Sequence, residues 1–86
     1  MSNPRSTFDS TADAAYFPIA PSINPGDSVE NVEVERTQGS IILDFDASGR
    51  LLGVEVLGAR ALLTAPTIAG LKPLENPPDS ASFSRS

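Results

Sequence analysis

The residues with most chemistry in this 86-residue chain are Asp44-Phe45-Asp46-Ala47-Ser48-Gly49-Arg50-Leu51-Leu52-Gly53-Val54-Glu55. They match the calcium-loop pattern D-x-[DN]-x-[DN]-G-x5-E except at its fifth position, where Ser48 stands. Asp44, Asp46, Ser48 and a bidentate Glu55 would offer hard oxygens to Ca²⁺, and Gly49 would make the sharp turn. These four are the metal candidates. The flanks oppose that use, because a calcium hand needs a helix on each side. Gln38-Gly39-Ser40-Ile41-Ile42-Leu43 before the loop, and Val54, Val56 and Gly58 after it, prefer strands. The favoured reading is therefore a hairpin with no metal and no cofactor. Asp46 and Gly49 then serve a turn, and Asp44 and Glu55 are strand carboxylates. A small Ca²⁺ or other metal-binding domain is the alternative.

Other chemistry is thin. Asp44 and Asp46 lie two apart, so they share a strand face, and paired carboxylates can do acid–base work when burial separates their pKa values. A hairpin tip makes no cleft to separate them. The chain has no His and no Cys, which excludes Ser-His-Asp triads, thiol nucleophiles, disulfides and Cys/His zinc sites. Serines and threonines are plentiful, but no His activates them, and Lys72 is the single lysine. No catalytic residue is expected; the protein reads as a non-enzyme. Glu30, Glu33 and Glu35 form an acidic stripe, either a solvated strand that deters aggregation or a contact surface for a basic protein partner.

The charge balance agrees. Six Lys and Arg stand against eleven Asp and Glu, a formal net charge of −5. A nucleic-acid binder shows the opposite sign, so no direct nucleic-acid contact is expected. No apolar run approaches the ~20 residues of a membrane span, and residues 1–10 lack the apolar stretch of a secretory signal. A cytoplasmic protein that does not bind membranes is the expectation.

The elements that position these residues are mostly strands. Residues 1–7 read as a flexible lead-in and 8–13 as a turn, with Asp9 and Ser10 bonding backbone N–H groups a few residues on. Ala14–Ile19 reads as an edge strand or a strand ended by Pro18, since proline lacks the N–H a central ladder needs. A Pro- and Gly-containing loop follows. Val32 and Val34 alternate with Glu33 and Glu35, the period of a half-buried strand. Ile41–Asp46 and Arg50–Leu57 form a hairpin over Ala47-Ser48-Gly49, a three-residue connection with Gly at the positive-φ position. If Asp46 faces Arg50, continuous pairing sets Ile42 opposite Val54 and Ile41 opposite Glu55. Ile42, Leu52, Val54 and Val56 then share one face, and Ile41, Leu43, Phe45, Leu51 and Leu57 the other. Ala59–Thr64 offers one short helix. Residues 8–74 make one small β-rich domain, and 75–86 a flexible polar tail with Phe83 its sole apolar anchor.

The expected fold is mainly β (α+β): a small antiparallel meander of four or five strands plus one short C-terminal helix. So thin a monomer is marginal. A homodimer is expected, burying hairpin-face residues such as Leu43, Phe45 and Leu57, with Tyr16 and Phe17.

Two stretches carry a family resemblance. Phe8-Asp9-x-x-Ala12-Asp13-Ala14-x-Tyr16 and Ile41-Ile42-Leu43-Asp44-Phe45-Asp46-x-x-Gly49-Arg50-Leu51-Leu52-Gly53-Val54-Glu55-Val56-Leu57-x-Ala59 resemble the small bacterial domain-of-unknown-function family 2283. The resemblance runs from about Phe8 to Leu63 and is densest in the hairpin. Pro18 and Gly58 depart from the family pattern. The resemblance implies a compact β-rich fold, no established activity, no catalytic residues to carry over, and an antitoxin-like or partner-binding role.

Overall fold

The computed structural model describes residues 6–74; the 75–86 tail and all of the lead-in but Ser6 and Thr7 lie outside them. The chain forms β1 (Thr7–Asp9), β2 (Ala14–Pro18), β3 (Glu30–Arg36), β4 (Gly39–Phe45), β5 (Leu51–Leu57), α1 (Ala59–Leu62), α2 (Ala65–Ala69) and β6 (Lys72–Pro73). The expectation of a mainly β protein with a small helical part holds. All strands lie in one six-stranded sheet of order β3-β4-β5-β2-β1-β6. Only the β1–β6 pair is parallel.

The order is not a simple meander. β3, β4 and β5 run up and down, but β2 returns beside β5, the arrangement of a Greek key. That places β2 inside the sheet rather than at its edge, and of the two expected arrangements it is the strand ended by Pro18 that is found. Pro18 is accommodated because β1 pairs only with Ala14 to Tyr16, so the proline has a neighbour on one side alone, Gly53. β6 and α2 were not expected from sequence. Thr64 starts α2 by accepting the Thr67 N–H (3.3 Å), and Pro66 sits in the first turn, where its missing N–H costs nothing. Phe8 and Asp9 belong to a strand, and the turn shrinks to 10–13. Asp9 Oδ1 still accepts the Thr11 and Ala12 N–H groups, at 3.0 and 3.2 Å.

The hairpin is present, with Gly49 at φ +80°, Asp46 N–H bonded to the Arg50 carbonyl (2.9 Å) and Gly49 N–H bonded to the Asp46 carbonyl (2.9 Å). Its register corrects the sequence reading. Phe45 pairs with Leu51, but Asp44 then pairs with Gly53, so Leu52 is an extra residue in a bulge. Beyond it every β5 residue has slipped by one, which exchanges its faces relative to β4. Ile41 and Leu43 stand opposite Val56 and Val54, while Ile42 stands opposite Glu55.

Two unlike faces result. On one, Phe8, Phe17, Ile41 and Val54 surround buried Ala15, Val56 and Ala59, with Leu62, Leu63 and Leu71 packed over them. The helices thus cover this face around its centre. The other face carries Tyr16, Ile42, Glu55 and Leu57 and contributes nothing to that cluster. The expected dimer set is therefore split: Leu43, Phe45 and Phe17 lie on the helix side, Tyr16 and Leu57 on the opposite one.

Asp13 ties the two halves of the chain together. Its backbone takes φ +54°, a left-handed conformation that Asp tolerates better than most residues. Its carbonyl accepts the N–H groups of Gly58 (3.0 Å) and Ala59 (2.9 Å), and its Oδ1 accepts that of Arg60 (2.9 Å). Gly58 has no side chain with which to cap α1, so Asp13 supplies the cap from another strand connection. Arg60 folds back, bonding the Ser10 carbonyl (3.2 Å), pairing with Asp13 (3.4 Å) and lying 5.2 Å from the Phe8 ring centroid.

Candidate functional site

The face opposite the helices gathers most of the chemistry-bearing residues. Cross-strand pairing lays them out in three rows. One runs Glu33, Ile42, Glu55, Tyr16, Thr7; a second Asn31, Asp44, Gly53, Pro18; a third Glu35, Ser40, Leu57, Ala14, Asp9. Five carboxylates (Asp9, Glu33, Glu35, Asp44 and Glu55) thus share one side of the sheet, around an apolar centre of Tyr16, Ile42 and Leu57. The single lysine, Lys72, reaches this side only at the far edge, opposite Thr7. Arg36 lies on the helix side, Arg50 follows the hairpin turn, and Arg60 is engaged with Asp13 and Phe8.

Tyr16 is the centrepiece. A Cβ on Gly53 would lie 2.1 Å from its hydroxyl oxygen and 2.6 Å from Cζ, so the phenol ring lies directly across the glycine. An aromatic ring laid on a strand glycine covers backbone that would otherwise be open, and Gly53 is indeed buried. The ring tip is thereby directed toward Asp44, the partner of Gly53 on β4. The phenol pKa is raised above its usual 10.0, first by burial, then by the negative charges of Asp44 and Glu55. Asp44 is held in turn by Asn31, whose Nδ2 donates to Asp44 Oδ1 and to Ser28 Oγ (3.3 Å). Beside this cluster is a shallow hollow of about 220 Å³, lined by Tyr16, Glu55, Leu57, Asp9 and Leu74 among others.

The metal candidates are not brought together. Strands, not helices, flank the loop, so it lacks the calcium-hand framework. Asp46 Oδ1 turns inward to accept the N–H groups of Ser48 (2.8 Å) and Arg50 (3.0 Å). Asp44 and Glu55 face the open side instead. Among the described residues, no group of three or more Asp, Glu, His or Cys is arranged to hold a metal ion. The predicted acidic stripe is also divided, for a reason of parity. Glu33 and Glu35 lie on the open face, whereas Glu30 pairs with Phe45 on the helix side.

The sequence places Tyr16 only in the expected dimer interface. Its link to Gly53 had one visible signal, a glycine inside a strand pattern, which often marks close approach of another group.

Residues 5–60, more than half of the chain, match the family described as "Protein of unknown function (DUF2283)", and the chain belongs to that family. The matched span joins the Asp9–Asp13 turn, the ring-bearing Tyr16 and the whole β3–β5 unit, which are the parts that build the open face. No curated protein and no solved structure matches the chain. No helix among the described residues is long and apolar enough to cross a membrane.

Proposed function

We propose that this protein is a non-catalytic, cytoplasmic interaction module whose open sheet face receives a basic protein partner, an antitoxin-like role. The observation that carries the reading is the placing of Glu33, Glu35, Asp44 and Glu55 on one face around Tyr16, Ile42 and Leu57. A like-signed field of this kind steers a basic partner and speeds encounter. The apolar centre supplies what charge alone does not, a desolvated anchor; tyrosine is among the residues that dominate interface energies.

The test uses the full chain as bait at low and high salt, beside a Glu33→Gln/Glu55→Gln variant and a Ca²⁺ titration. The reading expects a basic protein captured at low salt, released at high salt, and lost to the variant while its fold persists. Absence of any such partner, together with micromolar or tighter Ca²⁺ binding, would overturn it in favour of the metal-binding alternative.

A further inference from the structure

We infer that the outer edge of β3 is a self-complementary interface through which two copies join into one continuous twelve-stranded sheet. Among the described residues β3 ends the sheet, spans seven residues, and is exposed along its whole length. It carries no proline, and a long bare edge is a ready template for another strand. The opposite edge is unlike it: β6 has two residues, one of them Pro73.

Backbone phase decides which residues face outward. A two-residue turn, Thr37-Gln38, closes the β3–β4 hairpin on the Arg36–Gly39 pair. Such a turn is closed by a hydrogen-bonded pair, and these alternate along an antiparallel ladder. Arg36, Val34, Val32 and Glu30 therefore spend their N–H and C=O groups on β4. Those of Asn31, Glu33 and Glu35 point away from the sheet.

A second β3 must match outward groups to outward groups, which limits the two-fold registers. One centred on Glu33 pairs the whole strand. It sets Glu30 opposite Arg36 of the second copy, Val32 opposite its Val34, and Asn31 opposite its Glu35. Each of these contacts occurs twice by symmetry. On the helix side the pattern is ion pair, valine pair, valine pair, ion pair, and these are the closer, non-hydrogen-bonded positions. Val32 and Val34, 39 % and 41 % exposed in one copy, would be covered. The cost is a single Glu33–Glu33 apposition on the open side. Shifting the centre to Val34 sets Glu33 against Glu35 twice and leaves Arg36 opposite a valine. Shifting it to Val32 leaves Arg36 beyond the partner strand. Charge complementarity thus selects the Glu33 register and a second copy of this chain as the occupant.

The charge swap tests the inference apart from the acidic-face reading, because Glu30 and Arg36 lie on the helix side and not on that face. Sedimentation equilibrium on the full chain from micromolar to millimolar concentration tests it. The expected result is a concentration-dependent rise from 9.0 kDa to twice that mass. Arg36→Glu should weaken the dimer about tenfold, and adding Glu30→Arg should restore it. Glu33→Pro removes an outward N–H without touching the β3–β4 ladder, so it should give a folded monomer. A wild-type chain monomeric at millimolar concentration would overturn the inference. So would a dimer indifferent to Glu33→Pro, or a charge swap that fails to restore what Arg36→Glu loses.

Discussion

Replacing Gly53 by Ala probes the contact that joins the N-terminal strand to the hairpin. In an ordinary strand the change stabilises by about 0.4–1 kcal/mol, because alanine has less freedom to lose on folding. Here the new Cβ would lie 2.1, 2.6 and 3.2 Å from the Tyr16 Oη, Cζ and Cε1 atoms. These are the far atoms of one half-buried ring, so Tyr16 must shift off the glycine and uncover part of the backbone it shields. Overpacking of this kind costs about 1–3 kcal/mol. The net is a loss of about 1–2 kcal/mol, or roughly 4–16 °C in the unfolding midpoint of a domain this size. Thermal denaturation followed by far-ultraviolet circular dichroism measures it. A double-mutant cycle with Tyr16→Ala should show strong non-additivity, since alanine at 53 meets no ring once Tyr16 is gone. If Gly53→Ala raises the midpoint, or if the two changes simply add, the ring does not lie on the glycine and the account of the open face fails.

Four further outcomes follow from the same geometry. Tyr16 is the only tyrosine and the chain has no Trp, so absorbance at alkaline pH reports this phenol alone. It should titrate above 10.0, and lower in Asp44→Asn or Glu55→Gln. A raised folded-state pKa means the native state keeps its proton longer, so this contribution to stability is whole below pH 10.0 and falls as pH rises through the native value. Gly39→Ala should destabilise more than Gly53→Ala, because its Cβ would lie 2.1 Å from the Leu57 backbone oxygen, which no rotamer can move; equal midpoints would refute this. A Cβ at Gly49 would meet no atom within 4 Å, so the cost of Gly49→Val should come from the positive φ, above the ~1 kcal/mol usual for exposed turns, as read by denaturant midpoint. Asp13→Ala should cost about 1–2 kcal/mol by loss of the side-chain acceptor at the start of α1, whereas Asp13→Asn, which keeps an acceptor oxygen and tolerates the left-handed backbone, should cost much less.

Short-range chemistry was legible in the residues themselves. Alternation at Val32 to Glu35, the Ala47-Ser48-Gly49 turn, the Asp9 turn and the helix from Ala59 all depend on neighbours a few positions apart. Glycine at positive φ, an aspartate bonding nearby N–H groups and period-two side chains need no distant partner. The β content and the absence of helix around Asp44–Glu55 followed from the same local preferences.

What the tertiary structure decided was which side each residue faces and what lies beside it. The bulge at Leu52 is a one-residue event with no local signature, yet it sends Glu55 and Leu57 to the open face and Val54 and Val56 to the core. The return of β2 beside β5 sets Tyr16 on Gly53, thirty-seven positions away (53 − 16), and Asp13 against Gly58, Ala59 and Arg60. Neither contact follows from spacing, because it depends on which strand closes against which. That choice belongs to the burial of Ala15, Val56 and Ala59 in one cluster, a property of the whole sheet and not of any segment.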